Sequence, residues 1–204
     1  PYISEHMSTS AMSSEELPSK DFLKSLIRRV ENVPFPYIIE AITGCKILPI
    51  PEGDEVVDEI YEKALEVVKW AQKQDFTNMR PNEICNKLER KLRELLGGEV
   101  PEGRTAGYPN ILLRRCGKIY YVEVKLAGEA QLKSRFRSFF YKAAEFTKVK
   151  YDAHHVGVGF IHRRKRIIGF KIFDISKIRV SLKPEFNCSN RELYKRANII
   201  REYP

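Results

Sequence analysis

The chain has 204 residues, of which 43% are hydrophobic and 31% are charged, and its formal net charge at pH 7 is +9. A chain of this length and hydrophobic content can bury one substantial core, which excludes a wholly disordered protein. No run of about 18 uncharged apolar residues occurs, and no charged-then-apolar signal segment opens the chain. We therefore expect a cytoplasmic protein that does not cross a membrane.

The first 80 residues divide into a tail and a helical region. Residues 1–17 are small and polar after an opening PYISEHM, and we interpret them as a tag remnant and a flexible tail. Residues 18–80 predict an N-terminal helical region, with one helix capped by Ser19 and a longer one that starts at Asp54. Between these helices, residues 37–50 are compatible with a short helix or with a strand.

Residues 81–204 are predicted to form the α/β core of the protein. A helix begins at Pro81 and ends at Gly97, and it carries Glu83 and Glu89 beside an apolar face. The positions predicted to be buried on that face are Ile84, Leu88, Leu92 and Leu95.

A β-hairpin follows this helix, with its turn at Gly117. The three apolar residues after Asn110 predict the first strand, and residues 120–125 predict the second. Because side chains alternate along a strand, Glu123 and Lys125 project from the same face. The hairpin returns Asn110 towards the end of the second strand that carries these two residues.

The chain after the hairpin predicts a basic helix and two more strands. The helix extends over residues 129–148, with an aromatic stripe that packs on the sheet and a basic edge that includes Lys148. Residues 156–161 and 167–175 predict strands joined by the sequence HRRKR. Residues 190–203 predict a short basic helix at the C-terminus.

Positive charge is concentrated in the middle of the chain. Residues 103–170 contain fifteen lysines and arginines against four acids, whereas the rest of the chain is close to neutral. Such a block is typical of a surface that binds a polyanion, most often nucleic acid, and a solvated basic surface is the alternative. The cations that we expect to contact DNA are Lys133, Arg137, Arg163, Arg164, Lys165 and Arg166.

The four cysteines give no sign of a zinc site. Cys45, Cys85, Cys116 and Cys188 lie far apart, with no CxxC pair and no histidine at a ligand spacing. We expect buried or unreactive thiols.

The order of these elements, with Pro-Asn leading one strand and Glu-Val-Lys on the next, resembles the PD-(D/E)XK nuclease superfamily. The resemblance covers residues 81–174 and implies a restriction-endonuclease-like core, in which helices flank a central mixed sheet. In that superfamily an aspartate follows the proline, and a later Glu-x-Lys supplies a second carboxylate and a lysine. Here Pro109, Glu123 and Lys125 match the pattern, whereas Asn110 stands where aspartate is expected.

The resemblance also implies a metal site and the roles of its residues. Asn110, Glu123 and the main-chain carbonyl of Val124 would hold Mg²⁺, with Mn²⁺ as a substitute. Lys125 would position the attacking water or help to deprotonate it. Some members add an acid from the preceding helix, and Glu89 is the first candidate for it. An exposed ion pair between the strand residues is the alternative interpretation of Glu123 and Lys125.

Asn110 decides whether the chain cleaves. An amide oxygen lacks the negative charge that binds a hard cation well, so we expect weak metal binding and little cleavage. Two explanations stay open: an aspartate changed to asparagine to trap a substrate complex, or a naturally degenerate site.

The predicted function is that of a type II restriction endonuclease. Such an enzyme would hydrolyse double-stranded DNA at a short specific site, as a homodimer with twofold symmetry. One alternative is a nuclease like the archaeal Holliday junction resolvases, which cuts four-way junctions. The other is a non-catalytic DNA-binding module on a degenerate nuclease fold. The sequence does not select a recognition site, because too many side chains could read base edges.

Overall fold

The computed structural model describes residues 19–21, 31–103, 107–134, 139, 141, 147–182, 188–189, 191, 195–199 and 201. The chain divides into two units, one formed by residues 32–180 and the other by residues 1–31 together with 181–204.

The second of these units is described only in short pieces. Lys20 and Asp21 are helical, and Arg196–Asn198 form a 3₁₀ turn. The predicted tail, most of the helix after Ser19 and most of the predicted C-terminal helix lie outside the described residues.

Within residues 32–180, helices and two short strands come first and five strands follow. In chain order, the described part forms β1 (Val33–Pro34), α1 (Phe35–Thr43), β2 (Ile47–Leu48), α2 (Glu55–Ala71), α3 (Pro81–Leu96), β3 (Ile111–Arg115), β4 (Lys118–Gly128), β5 (Ala153–Arg163), β6 (Arg166–Asp174) and β7 (Arg179–Val180).

A mixed sheet forms the centre of this unit. Its strands lie in the order β2, β5, β4, β3, and β6 also pairs with β5. The pairs β2–β5 and β4–β5 are parallel, whereas β3–β4 and β5–β6 are antiparallel hairpins. Strands β1 and β7 form a separate antiparallel pair. The sheet and its helices confirm the predicted α/β class.

The ends of the two longer helices follow from local sequence signals. The Asp54 carboxylate accepts hydrogen bonds from the amides of Val56 and Val57, which caps the start of α2. Its second oxygen accepts a hydrogen bond of 2.8 Å from the hydroxyl of Tyr120, and this bond ties the start of α2 to β4. Gly97 ends α3 in a left-handed conformation, with φ of 57°, as the sequence predicts.

Two apolar clusters lie within the unit. One packs the apolar faces of α2 and α3 against Tyr120, Val122 and Val124 of β4. The other contains Phe35 and Tyr121, which is on the opposite face of β4 because side chains alternate along a strand. The buried positions of α3 are Ile84, Leu88, Leu92 and Leu96; Leu95, predicted to be buried, is only partly covered.

The predicted helix over residues 129–148 is wrong for the residues described. Only Glu129–Gln131 form a turn of 3₁₀ helix, and neither Phe139 nor Tyr141 is helical. Both rings contact Phe35, at centroid distances of 5.1 and 5.7 Å. Residues two apart on a helix do not face the same way, so this packing is incompatible with a continuous helix.

Helix α2, predicted as part of the N-terminal helical region, packs against α3 and β6. The division of the chain at residue 80 stays a prediction. Among the described residues, no helix has the length and apolar character needed to cross a bilayer.

Two glycines of β5 make room for an aromatic ring. Gly157 pairs with Phe173 of β6, and the ring of Phe173 lies over both Gly157 and Gly159. On β4, the register partners of these glycines are Glu123 and Lys125. The Gly-x-Gly sequence therefore serves packing beside the two charged residues.

Substitution of Gly157 by alanine is expected to lower the free energy of unfolding by about 1–3 kcal/mol through overpacking. The added Cβ would lie 2.0 Å from Cε2 of Phe173. Gly169→Ala on β6 is the matched control, because nothing lies within 4 Å of a Cβ there. We expect the control to change stability by no more than about 0.5 kcal/mol in urea unfolding. Equal losses of unfolding free energy in both variants would contradict the close approach of the Phe173 ring to Gly157.

Candidate active site

The β3–β4 hairpin brings Asn110 beside Glu123, as the sequence predicts. The amide of Asn110 donates to the carbonyl of Val122, at 3.1 Å. The side-chain Oδ1 of Asn110 accepts a hydrogen bond of 2.7 Å from the amide of Val124. These two bonds extend the pairing of the hairpin by one residue and fix the Asn110 side chain against the strand that carries Glu123 and Lys125.

The side-chain NH₂ group of Asn110 bonds Glu89 of helix α3. Nδ2 of Asn110 donates to Oε2 of Glu89 at 3.0 Å, and Arg93 contacts the other carboxylate oxygen at 3.3 Å. Burial raises the pKa of Glu89, an effect that the charges of Arg93, Lys148 and Lys125 oppose. Glu83 instead accepts from the amide of Arg80 at the start of α3, so Glu89 is the acid that lies at the site.

Glu123 is almost fully buried, and only one of its two carboxylate oxygens has a partner among the described residues. Its Oε1 lies 2.5 Å from the ammonium of Lys125, and the residue is 2% exposed. Its Oε2 has no hydrogen-bond partner among the described residues. Burial raises the pKa of Glu123 and the charge of Glu89 adds to this, whereas Lys125 and Lys148 oppose it. The predicted exposed ion pair is therefore excluded as a description of Glu123.

The position predicted for Lys148 from the sequence is wrong. It was predicted on the phosphate-facing edge of a helix, but it is 6% exposed and lies outside any helix. Its Nζ donates to the carbonyl oxygens of Gly107 and Pro109, at 3.0 and 3.2 Å. Burial lowers the pKa of Lys148, and Glu89 and Glu123 oppose that shift. No local pattern marks this position, because its partners lie about forty residues earlier in the chain.

A cleft of about 550 Å³ opens beside these residues. It lies between α3 and the end of β4, and its walls include Asn82, Asn86, Glu89, Asn110, Lys125 and Gln131. Cys85 also lines it, with a thiol whose pKa is raised to about 11 by burial and which therefore stays protonated at neutral pH. Cys116 and Cys188 are exposed, so for these two the expectation of unreactive thiols stays a prediction.

The cations predicted to contact DNA have different surroundings. Arg163 forms a two-point ion pair with Glu129 at 2.6 and 2.7 Å, and Lys165 donates to the carbonyl of Thr77 at 2.6 Å. The side chains of Lys133, Arg164 and Arg166 are exposed, and Arg137 lies outside the described residues. The tip of the hairpin is a tight turn, in which Arg164 and Lys165 have φ of 49° and 68°.

The oxygen atoms at the site fit a divalent cation only in part. Glu89 and Glu123 supply two carboxylates, and one oxygen of Glu123 has no partner among the described residues. Among the described residues, the carbonyl of Val124 accepts a contact of 3.9 Å from the Cys85 thiol. Oδ1 of Asn110 is already bonded to the Val124 amide. The described residues contain no group of three histidines, cysteines or acids that could hold a metal.

The fold and these residues define a class of protein. A mixed sheet flanked by helices, with Glu123 and Lys125 on a central strand, is compatible with a restriction-endonuclease-like core. Residues 28–197 match the family described as "Type II restriction enzyme MjaV family". The chain is 31% identical to the type II restriction enzyme MjaV of Methanocaldococcus jannaschii, over 92% of this chain and 95% of the relative. The chain therefore belongs to the MjaV family of type II restriction enzymes. No solved structure matches it.

Replacement of Asn110 by aspartate is expected to lower the free energy of unfolding by about 1–3 kcal/mol at neutral pH without metal. The variant puts a carboxylate oxygen where Nδ2 now donates to Glu89. The repulsion raises the pKa of the carboxyl pair further, so stability is retained at low pH and lost as pH rises through the raised pKa. We expect the loss to be larger in mildly alkaline than in mildly acidic buffer.

Asn86→Asp is the matched control for this measurement, since Asn86 is exposed on the same helix and lines the same cleft. Urea unfolding at several pH values compares the two variants with the parent chain. A pH-independent loss for Asn110→Asp would contradict a direct bond between Asn110 and Glu89.

Proposed function

We propose that this chain is a site-specific endonuclease that hydrolyses phosphodiester bonds of double-stranded DNA. The observation that carries the proposal is the buried Glu123, ion-paired with Lys125 and facing Asn110, in a chain that belongs to a family of type II restriction enzymes. Glu89, Asn110 and Lys125 line a cleft beside Glu123, and its polar walls suit a charged backbone.

Glu123, the carbonyl of Val124 and Asn110 are the groups that would hold Mg²⁺, or Mn²⁺ in its place, with Glu89 as an additional acid. When bound, the metal ion supplies a water nucleophile at neutral pH and a counter-charge for the phosphate. The unpartnered oxygen of Glu123 supports this assignment, because a buried carboxylate oxygen without a donor is stabilised by a cation.

Lys125 is the residue that would act on the attacking water. Its ammonium lies 2.5 Å from Glu123, and Lys125 also lines the cleft, so the same group can reach a water or a phosphate oxygen there. The water oxygen forms a bond to phosphorus while the bond from phosphorus to the leaving oxygen breaks. The proton of the water passes towards a base at the site, and Lys125 steadies the negative charge on the phosphate.

Asn110 limits the reaction in the chain as it stands. The amide joins Glu89 to the strand without any metal, and it brings no negative charge to the site. We infer weak Mg²⁺ binding and little cleavage, whether the asparagine was introduced or is natural.

Exposed cations would supply the sequence-independent part of DNA binding. Arg164 and Arg166 at the tip of the β5–β6 hairpin and Lys133 after β4 are the first candidates. Arg163 and Lys165 would have to leave Glu129 and the Thr77 carbonyl to contact phosphates. A homodimer with twofold symmetry and a cytoplasmic location complete the proposal.

A non-catalytic DNA-binding module is the second candidate, because Asn110 stands at the position of a metal-binding acid. Cleavage assays distinguish it from an enzyme. Assays on linear duplexes and on four-way junctions separate a restriction enzyme from a junction-cutting nuclease.

The Asn110→Asp variant is expected to cut a mixture of plasmid and phage DNA into discrete fragments in the presence of Mg²⁺. A carboxylate that holds the ion better contributes several kcal/mol to the transition state, which is about 10²–10³-fold in rate over the parent chain. Gel electrophoresis of the digests measures the fragments and the rate.

Two further variants control this experiment. Adding Glu123→Gln to Asn110→Asp should abolish the fragments, whereas Lys118→Ala, at the far end of β4, should leave the parent's activity unchanged. If Asn110→Asp binds DNA but cuts neither duplexes nor junctions, the enzyme proposal fails and the binding module remains.

Loss of Arg164 or Arg166 is expected to weaken DNA binding at every sequence. Each neutralised phosphate contributes about 0.9 to the slope of log affinity against log salt, so each alanine variant should flatten the slope by about that amount. Lys118→Ala is the matched control, because Lys118 is exposed at the opposite end of β4 from Lys125. Fluorescence anisotropy at several salt concentrations gives the slopes. An equal effect of Lys118→Ala would place the DNA elsewhere.

A further inference from the structure

The segment that leads into Asn110 is held by one buried side chain. The carbonyls of Gly107 and Pro109 both accept hydrogen bonds from Nζ of Lys148, at 3.0 and 3.2 Å. Pro109 is the residue directly before Asn110, so its carbonyl belongs to the peptide group that contains the Asn110 amide. A shift of this peptide group would move the Asn110 side chain with it.

The stem of Lys148 is confined as well as its end. The backbone of Gly103 passes so close that a Cβ there would lie 3.0 Å from Cγ of Lys148 and 3.3 Å from its Cα. Only 6% of the residue is exposed. The side chain is therefore held at both ends, by Gly103 at its stem and by the two carbonyls at its ammonium. Such a confined donor can set the position of the two carbonyls that it bonds.

The charge of Lys148 faces both acids of the candidate active site. Glu89 and Glu123 are the two groups whose charges interact with this ammonium. Lys125 contacts Glu123 directly and Arg93 contacts Glu89 directly, whereas Lys148 acts on both carboxylates through its charge, as Lys125 also does. A lysine at the same place on the surface would be screened by water, whereas a buried one is not.

We propose that Lys148 is a positioning residue of the active site. Its ammonium bonds the carbonyls of Gly107 and Pro109, and it thereby holds the residue at position 110 between Glu89 and the amide of Val124. Its charge opposes the repulsion between the two carboxylates. The catalytic part of this inference rests on the proposed function, whereas the positional part concerns the chain as it stands.

Amide hydrogen exchange tests the positional part without any cleavage. The amides of Asn110 and Val124 bond, respectively, to the Val122 carbonyl and to Asn110 Oδ1. In Lys148→Met, which keeps the apolar stem and removes the ammonium, we expect both amides to exchange at least about tenfold faster. The amides of Val156 and Val158, on the neighbouring strand, should keep their protection.

Two variants control the exchange measurement. Lys148→Arg keeps the charge and the donors and should restore most of the protection. Lys150→Met removes an exposed lysine two residues along and should change nothing. If Lys148→Met does not fold, Lys148→Leu, which also removes both the donor and the charge, carries the same comparison. Unchanged exchange at Asn110 and Val124, or a uniform increase across β4 and β5, overturns the proposal.

Steady-state cleavage in the Asn110→Asp background tests the catalytic part. A misplacement of about 1 Å in a reacting constellation can cost about 10²-fold in rate, so Lys148→Met should lower kcat by that order. KM for DNA should stay within about threefold, because a lysine that is 6% exposed makes no direct contact with a ligand on the surface. A rise in KM alone would overturn the positioning role. If Asn110→Asp itself never cleaves, the proposed function fails, and the exchange result still decides the role of Lys148.

Discussion

One side-chain amide, that of Asn110, connects the three elements that meet at the active-site end of the sheet. Oδ1 binds the Val124 amide of β4, Nδ2 binds Glu89 of α3, and the backbone of Asn110 continues the β3–β4 pairing. An amide can do this because it donates and accepts at once, which a carboxylate cannot do without a proton or a cation. That dual character lets one side chain join helix α3 to the hairpin, in addition to the apolar packing of α3 against the sheet.

Buried charge explains the remaining arrangement. Glu123 is buried and Glu89 is partly buried, and the cost of this burial raises the pKa of both. Lys125, Arg93 and Lys148 reach them from the strand, the helix and the segment before β5. Each of these cations belongs to a different element of the chain. The positive charges therefore meet the two carboxylates only in the assembled fold. In isolated segments, water would hydrate these charged groups.

The parts predicted from sequence are those that local signals determine. The cap at Asp54, the stop at Gly97 and the turn at Gly117 each act over a few residues, and the helices and the hairpin around them are confirmed. The meeting of Asn110 with Glu123 and Lys125 followed from strand alternation, and the roles of these residues stay predictions. Lys148 and Phe139 could not be placed, because their partners are distant in sequence and helical periodicity in an aromatic-rich segment is ambiguous.

The paired glycines of β5 have a consequence for how the site can be completed. Next to Glu123 and Lys125, the neighbouring strand offers only the hydrogen atoms of Gly157 and Gly159, and the ring of Phe173 lies over both. That flank carries no side-chain donor. Asn110, on the other flank, has its amide engaged with Glu89 and Val124. Neither flanking strand therefore offers a side-chain donor to the second oxygen of Glu123, and any group that pairs with this oxygen has to come from outside the sheet.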